Sequence, residues 1–298
     1  MAYHRPVLLA ESIEGLKIQS SGTYVDATFG GGGHSKAILT RLDDNGHLFA
    51  FDQDEDARQN VWVDKRLTFV QSNFRYLAEY LHYYGVAEVH GVMADLGVSS
   101  WQFDNPERGF SYRQDQALDM RMNRQLQVRA ADIIAQYPRE ELVRMFSAYG
   151  EVRNARTLAT RICSVRDTRR INSVAEFLDA IGPCVRGHRP KYLAQVFQAL
   201  RIEVNDEMGA LRDFLQAATG CLAAGGRLVV ISYHSVEDRL VKHWFRSGRD
   251  DGIIEQDDYG RVQTPFTLIT RRPIIPDQKE IEQNSRARSA RLRIAEKK

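Results

Sequence analysis

Short apolar runs alternate with helical spacings over the first third of the chain. Between the first two runs, Ala37, Ile38 and Leu42 recur at the spacing of one helix face. Strands that alternate with helices predict a parallel sheet with right-handed crossovers. The apolar runs, each a predicted strand, cover residues 23–27, 48–51, 67–71 and 89–94.

The pattern changes between about Phe103 and Asp206, where it is helical and rich in arginine. Within this stretch, Ser173 and Glu176 have the spacing of a capping box at the start of a helix. The α/β pattern returns at Met208. The later predicted elements are a helix from about 208, strands over 227–232, 266–270 and 290–295, and a helix over about 236–245.

These patterns predict two domains. The α/β elements before and after the arginine-rich stretch form one discontinuous domain, made of residues 1–102 and 207–298. Residues 103–206 form an all-helical insertion within it. The predicted fold class is therefore α/β with a helical insertion.

The composition is that of an ordinary globular protein. Of 298 residues, 43% are apolar, and the net charge of +2 does not by itself indicate a nucleic-acid partner. The three cysteines are odd in number and lack metal-ligand spacing, so we expect no metal site and a reduced, cytoplasmic setting. No secretion signal and no stretch of about 18 apolar residues is present, so no membrane partner is predicted.

Four consecutive glycines, 30–33, follow the first predicted strand and precede a helix that starts at His34. Glycines let the backbone approach a ligand and adopt positive φ, and a helix N-terminus supplies free N–H groups. The dinucleotide fingerprint counted from Gly30 would need glycine at Ser35. A nucleoside without a pyrophosphate fits as well or better, and a tight turn without a ligand is the simpler alternative.

Two aspartates end the second and the fourth predicted strand. Asp52 lies about 20 residues beyond the glycines, where an acidic side chain binds both hydroxyls of a ribose. S-adenosylmethionine (SAM) and NAD share that ribose, so Asp52 does not separate them. Asp95 leaves the fourth strand, at the edge where α/β sheets bind ligands. We therefore place it between a cofactor and a substrate.

The turn after the predicted fifth strand holds a further candidate. His234 has a side chain that carries protons near neutral pH. Ser235 and Asp238 follow it, and we expect these two residues to cap the next helix. A site role for His234 and a purely structural one both stay open.

Cations cluster in three segments, 108–113, 186–192 and 286–293. The first two also contain aromatic residues, and cations with aromatic rings bind phosphates and unpaired bases. A solvated face explains any single cluster, but three in a chain of low net charge favour nucleic acid. The predicted RNA contacts are Arg108, Arg113, Arg186, Arg189 and Lys191.

Several unrelated motifs occur together in a recognisable order. They are Thr28-Phe-Gly-Gly-Gly-Gly-His34, Asp95-Leu-Gly-Val-Ser-Ser100, Arg108-Gly-Phe-Ser111, Leu118-Asp-Met-Arg-Met122, Ser232-Tyr-His-Ser-Val-Glu-Asp-Arg239 and Asn284-Ser-Arg-Ala-Arg-Ser-Ala290. With His4-Arg-Pro-Val-Leu-Leu9 at the start, the set spans nearly the whole chain. It resembles the bacterial 16S ribosomal RNA (cytosine-N4) methyltransferase family, often called MraW.

The resemblance implies a Rossmann-like SAM-dependent methyltransferase sheet with a helical, RNA-recognising insertion. It implies methylation of the exocyclic amine of a cytosine in the decoding region of 16S ribosomal RNA, within the small ribosomal subunit. The sequence leaves the oligomeric state open, with a homodimer as one alternative. The cofactor contacts that the resemblance implies are Gly32, Gly33, His34, Asp52, Phe74, Asp95 and Gln102.

The expected chemistry needs an acceptor for the amine N–H, because the lone pair of that nitrogen is delocalised into the ring. Asp95, Ser99 or Ser100 can serve as this acceptor, and His234 can take the released proton. Many enzymes that methylate exocyclic amines carry an Asp/Asn/Ser-Pro-Pro-aromatic turn after the fourth strand, and here Asp95 is followed by Leu96 and Gly97. The amine-binding group is therefore open.

Two other functions compete with this one. An NAD-dependent dehydrogenase would use the same glycine turn and Asp52. A ribosome assembly factor that binds SAM without turnover would keep the cofactor residues and the basic clusters. Titration with SAM and NADH separates the first rival, and a methyl-transfer assay separates the second.

Overall fold

The strands of the described residues form one mixed seven-stranded sheet, in the order β3-β2-β1-β4-β5-β7-β6. The computed structural model of the protein describes residues 6–260 and 263–298. The strands of the described residues are β1 Thr23–Asp26, β2 His47–Asp52, β3 Leu67–Gln71, β4 Val89–Asp95, β5 Leu222–Ser232, β6 Phe266–Leu268 and β7 Arg291–Lys297. All seven predicted strands are confirmed, and β3 has its predicted ends.

The first five strands are parallel, as expected. The last two strands depart from the expected parallel sheet, because β7 pairs antiparallel with β5, and β6 pairs antiparallel with β7. Ser232, at the end of β5, lies opposite Arg291 at the start of β7. The segment before β7 therefore lies at the same edge of the sheet as the carboxyl end of β5.

The described residues also form helices α1 Leu9–Leu16, α2 Gly33–Leu39, α3 Leu77–Tyr83, α4 Ser100–Asp104, α5 Ala130–Gln136, α6 Arg139–Ala148, α7 Ala155–Arg166, α8 Val174–Ile181, α9 Arg189–Asn205, α10 Glu207–Cys221, α11 Ser235–Ser247 and α12 Gln278–Gln283. The predicted capping box is confirmed at α8, where the Ser173 hydroxyl accepts from the backbone N–H of Glu176. None of the helices in the described part of the chain is long and apolar enough to cross a membrane.

The chain forms two compact units. The first comprises the described residues up to Gly97 together with Gly209–Lys298, and it contains the sheet. The second runs from Val98 to Met208 and is helical, apart from an isolated bridge between Ala117 and Ser173. Each unit has its own apolar core, centred on residues such as Leu48 and Val229 in the sheet unit and on Phe146 in the helical unit.

The sheet has a switch point between β1 and β4. The chain adds β2 and β3 on one side of β1 and then returns to place β4 on the other side. Ligands of open α/β sheets bind outside the carboxyl ends of the strands at such a point. This order, with helices between parallel strands, is the Rossmann-like methyltransferase sheet that the resemblance implied. The residues that follow β1, β2 and β4 are therefore the candidates for a ligand site.

Candidate active site

The glycine turn after β1 has two distinct faces. Gly30 has φ +51° and Gly32 has φ +74°, a backbone region that favours glycine. A Cβ at Gly30 or Gly31 would meet no atom within 4 Å, whereas one at Gly32 would lie 2.7 Å from the Trp62 ring, and one at Gly33 would lie 2.2 Å from Pro6. Packing thus accounts for glycine at 32 and 33. The open side of the turn is at Gly30 and Gly31.

A buried aspartate holds this turn in place. Asp26, the last residue of β1, is 1% exposed. One of its carboxylate oxygens accepts from the Ser35 hydroxyl at 2.7 Å, and the other accepts from the backbone N–H of Thr28 at 3.1 Å. Burial raises the pKa of Asp26. Asp26 had no predicted role. Its place at the end of an apolar run, directly before the glycines, is the sequence feature that could have indicated a structural role in the turn.

Asp52 lies at the end of β2, where the sequence placed it, and contacts the same turn. Its Oδ2 accepts from the N–H of Gly30 at 2.8 Å, and its Oδ1 accepts from the N–H of Asp54 at 2.9 Å. The residue is partly exposed but densely surrounded by protein, and burial raises its pKa to about 6. Each oxygen keeps a second lone pair. Asp52 can therefore shape the turn and still accept two ligand hydroxyls.

Asp95 lies at the end of β4, on the other side of the switch point. Its Oδ1 accepts a hydrogen bond of 2.7 Å from the hydroxyl of Tyr233, and its Oδ2 lies 4.0 Å from Nδ1 of His34. Its backbone N–H donates to the Thr28 hydroxyl at 2.6 Å. The strands β1, β4 and β5 thus converge on one carboxylate, whose side chain is 24% exposed.

The surroundings of Asp95 bring its ionisation close to neutral pH. Burial raises the pKa of Asp95 to about 6; His34 and the bond from Tyr233 lower it, and the nearby Asp26 and Glu237 carboxylates raise it. Burial is the largest cause that holds the pKa of Tyr233 well above its usual value, and the negative charge of Asp95 is the second. The phenol therefore keeps its proton and remains a hydrogen-bond donor. A carboxyl group with a pKa near 6 can accept and release a proton under physiological conditions.

His34 is an interior residue at the start of α2. It is 5% exposed, and its Nε2 lies 3.1 Å from the carbonyl oxygen of Val7. A carbonyl only accepts, so Nε2 carries the proton and Nδ1 faces Asp95. Burial lowers the pKa of His34. The imidazole therefore lies where it can lower the pKa of Asp95. The contact of His34 with the cofactor stays a prediction.

His234 caps the helix that follows β5. Its Nδ1 accepts from the backbone N–H of Glu237 at 3.3 Å, and its Nε2 lies 2.9 Å from Oε1 of Glu237. The prediction that Ser235 and Asp238 form this cap is therefore wrong. Ser235 is the first residue of α11, and the Asp238 carboxylate accepts from Arg293 at 2.7 Å, which joins α11 to β7.

Phe74 follows β3, at the same edge of the sheet as Asp52. It begins a 3-10 turn over Phe74–Tyr76, and its ring packs edge-on against Phe214 with centroids 5.1 Å apart. Because the ring remains partly exposed, it can also contact a ligand at that edge. The sequence pattern alone had not singled out Phe74.

In the helical unit, Ser99 and Gln102 form a capping box at the start of α4. The Gln102 side chain accepts from the N–H of Ser99 at 3.0 Å, and the Ser99 hydroxyl accepts from the N–H of Gln102 at 3.2 Å. The Ser99 hydroxyl keeps its own proton to donate. The side chain of Ser100, the other predicted amine acceptor, lies outside the described part of the structure.

The predicted RNA contacts divide into one buried and four exposed side chains. Arg108 is 2% exposed and donates to the carbonyl oxygens of Arg121 and Met122, so it has no surface from which to contact RNA. We correct the prediction for this residue. The remaining residues are exposed and form no ion pair within the described part of the chain: Arg113, Arg186, Arg189 and Lys191.

Comparison with known proteins identifies the family of the chain. The MraW methylase family model matches residues 1–298. The ribosomal RNA small subunit methyltransferase H of Phocaeicola vulgatus is 54% identical over 297 residues, covering 99% of this chain and 98% of the relative. That of Flavobacterium johnsoniae is 50% identical over 298 residues, covering 100% and 98%.

Among solved structures, an rRNA methylase from Streptococcus thermophilus aligns with a TM-score of 0.42 at 11% identity, covering 100% of this chain and 99% of that one. That similarity is too low to bear on function. The assignment rests on the family match over the whole length and on relatives at half identity or more. The chain belongs to the MraW methylase family, and it is a methyltransferase whose cofactor is S-adenosylmethionine.

Proposed function

We propose that this enzyme methylates the exocyclic N4 amine of one cytosine in the decoding region of 16S ribosomal RNA. The observation that carries the proposal is Asp95, a carboxylate with a pKa near 6 at the switch point of the sheet, held by Tyr233. A weakly basic aromatic amine needs such an acceptor. The name of the relatives, ribosomal RNA small subunit methyltransferase H, supports the substrate class.

The residues around the glycine turn fit SAM. The turn leaves open space at Gly30 and Gly31, Asp52 offers lone pairs to the ribose hydroxyls, and Phe74 offers a partly exposed ring. The other proposed cofactor contacts are Gly32, Gly33, His34, Asp95 and Gln102. Bound SAM would supply a methyl group already activated on a sulfonium, whose methyl–sulfur bond breaks to leave a neutral thioether.

Asp95 is the proposed catalytic residue. Its carboxylate accepts an N–H of the target amine, which raises the electron density on the nitrogen as its bond to the methyl carbon forms. The amine then loses a proton, which Asp95 takes up on Oδ2, facing Nδ1 of His34 4.0 Å away. Tyr233 acts as a positioning residue, because its hydroxyl donates to Oδ1 of Asp95, whereas His34 lies 4.0 Å from Oδ2 and lowers the pKa of Asp95. Ser99 and Ser100 remain alternative acceptors.

His234 is a weaker candidate for the proton carrier. Its Nδ1 is engaged in the helix cap and its Nε2 faces Glu237. Proton transfer would have to interrupt one of these contacts. Asp95 needs no such change, since it already has the pKa and the partial exposure that the role requires.

The exposed cations of the helical unit are the proposed RNA contacts. Helix α9 begins at Arg189, and its first turn has no acidic residue. Cations at the positive end of a helix are unfavourable unless an anion approaches. Phosphates of the small-subunit RNA would supply that anion to Arg186, Arg189 and Lys191, with Arg113 as a further contact. The reaction would take place in the cytoplasm, where bacterial small subunits are assembled.

The test is methyl transfer to immature small subunits with radiolabelled SAM, followed by digestion and mass spectrometry of the labelled nucleoside. We expect N4-methylcytosine at one position of the decoding region. Label on another base would overturn the proposal. Binding of SAM without any transfer would favour an assembly factor, and binding of NADH would favour a dehydrogenase. Light scattering on the same sample would reveal a homodimer.

A further inference from the structure

A cavity of about 380 Å³ lies at the carboxyl end of β5. Its volume is within the range of small-ligand sites. Because β7 is antiparallel to β5, the segment before β7 closes its other side. The lining residues are Tyr233, His234, Ser235, Ile275, Pro276, Ile281, Arg288, Ser289, Ala290 and Arg291.

The cavity lies on the opposite side of β4 from the glycine turn. In the strand order, β1 and β2 lie on one side of β4, and β5 lies on the other. Tyr233 belongs to both regions, because it lines the cavity while its hydroxyl donates to Asp95. A molecule in the cavity would therefore contact Tyr233, the residue that joins the cavity to Asp95, on the side of β4 away from the glycine turn.

The walls have a mixed character. Ile275, which is 67% exposed, and Ile281 supply apolar surface. Arg288 is exposed and has no hydrogen-bond or ion-pair partner within the described ranges, 6–260 and 263–298. Arg291 is about half exposed and shares Asp238 at 3.0 Å with Arg293. Among the described residues that line the cavity, none carries a carboxylate. Apolar surface beside cations matches a nucleotide, whose base is flat and apolar on its faces and whose phosphate is anionic.

We propose that this cavity receives the target nucleotide after it leaves the RNA stack. The base lies against the Ile275 wall with its amine towards Tyr233 and Asp95, and Arg288 contacts the adjacent phosphate. An enzyme that modifies a base must take that base out of its helix, and a separate pocket for it is required. This inference rests on the proposed RNA substrate, and it assigns a site to the C-terminal segment rather than to the helical unit.

The test compares Arg288→Ala with Arg271→Ala, a control that removes an exposed arginine from outside the cavity lining. With immature small subunits as substrate, we expect Arg288→Ala to raise KM about tenfold, in line with loss of a charged hydrogen bond. Its salt slope should fall by roughly 0.7, the value for one phosphate contact to a single strand. The control should match the wild type, and SAM affinity should be unchanged in both variants.

A second measurement does not depend on turnover. Cytidine 5′-monophosphate is titrated into the SAM-bound enzyme, and we expect weaker binding to Arg288→Ala and to Ile275→Ser than to the wild type or to Arg271→Ala. If the wild type methylates RNA but Arg288→Ala equals the control in KM and in nucleotide binding, the cavity assignment is wrong and the proposed function stands. If nucleotide binding depends on Arg288 but no RNA is methylated, the cavity assignment stands and the proposed function is wrong. A loss of SAM affinity in Arg288→Ala would assign the cavity to the cofactor and overturn the inference.

Discussion

The hydroxyl of Tyr233 donates a 2.7 Å hydrogen bond to Oδ1 of Asp95, joining residues 138 positions apart in the chain. The bond fixes one oxygen of the carboxylate at the carboxyl ends of β4 and β5. It also lowers the pKa of Asp95 against the larger effect of burial. The same contact therefore sets both the orientation of the carboxylate and the pH at which it can act.

Tyr233→Phe tests this relationship. Without the hydroxyl, the pKa of Asp95 should rise above about 6, so the acidic limb of the pH profile of single-turnover methyl transfer should move to higher pH. Above that limb, loss of one positioning hydrogen bond should slow transfer by about tenfold. Tyr83→Phe, at a side chain that is 79% exposed, is the matched control. If the acidic limb of the profile did not shift, Tyr233 would not affect the ionisation of Asp95.

Asp52 should control SAM affinity. Asp52→Ala removes the proposed acceptor of the ribose hydroxyls and the observed acceptor of the Gly30 N–H, and a lost charged hydrogen bond costs roughly 1.5–3 kcal/mol. Titration calorimetry at pH 8 should show weaker SAM binding while circular dichroism shows an intact fold. Glu55→Ala, an exposed carboxylate nearby, is the control. Wild-type affinity in Asp52→Ala would remove this residue from the cofactor site.

The pKa of Asp52 also predicts a pH dependence of SAM binding. Burial raises this pKa to about 6, so the carboxylate form that accepts hydroxyl protons dominates above that pH. We expect SAM affinity to fall as the pH drops from 8 to 5. Asp52→Ala should bind weakly at every pH and show a flatter profile. An equal slope in wild type and variant would assign the pH dependence to another group.

The raised pKa of Asp95 predicts the pH dependence of stability. A carboxyl with a folded-state pKa of about 6, against 3.8 unfolded, stabilises the fold when protonated. That contribution is complete below the unfolded pKa and is lost as the pH rises through about 6. Asp95→Asn, which cannot ionise, should therefore unfold with a free energy about 1–3 kcal/mol higher than the wild type at pH 8 without cofactor. At pH 4 the two proteins should be nearly equal. A difference that did not change with pH would show a packing effect instead.

The helical unit should contribute phosphate contacts. Arg186→Ala combined with Arg189→Ala should weaken binding to small subunits and lower the salt slope by roughly 1.5, since each contact releases counterions. The control double variant, Arg139→Ala with Arg169→Ala, removes two arginines that are already paired with carboxylates. SAM affinity should be unchanged in both. Equal RNA binding by the two double variants would contradict the proposed surface.

The strands were predictable because burial on both faces leaves a plain apolar signal. The parallel strand β4, in which five of seven residues are buried, begins at its predicted residue Val89. The direction of β7 was not predictable from its apolar residues, because periodicity carries no direction. Strand β7 carries a buried cation, Arg293, which pairs with Asp238 of α11. This pairing exists only in the folded chain, so the sequence pattern does not reveal it.

The places of candidate site residues were predictable where the fold decides them. Asp52 and Asp95 were identified because carboxyl ends of parallel strands meet at one edge. Arg108 was not correctly interpreted, and the site role of His234 stays a prediction, because both residue types serve equally well in an interior network and at a surface. The backbone carbonyls that accept from Arg108 and the helix end that His234 caps are formed by folding, so no local sequence pattern reveals them.

The last prediction concerns the chemical step at Asp95. Asparagine keeps the shape of the side chain and an oxygen that can accept from Tyr233, but it has neither the charge nor the capacity to take a proton. Charge stabilisation aimed at a transition state is worth about 10²–10³ in rate per group, so Asp95→Asn should slow single-turnover methyl transfer by that factor at saturating SAM. His234→Ala should slow it less, because its contacts are those of a helix cap. RNA binding should be unchanged in Asp95→Asn. If this variant transferred methyl at the wild-type rate and lost only SAM affinity, Asp95 would be a cofactor ligand, and the amine acceptor would have to be sought at Ser99, Ser100 or the turn after β5.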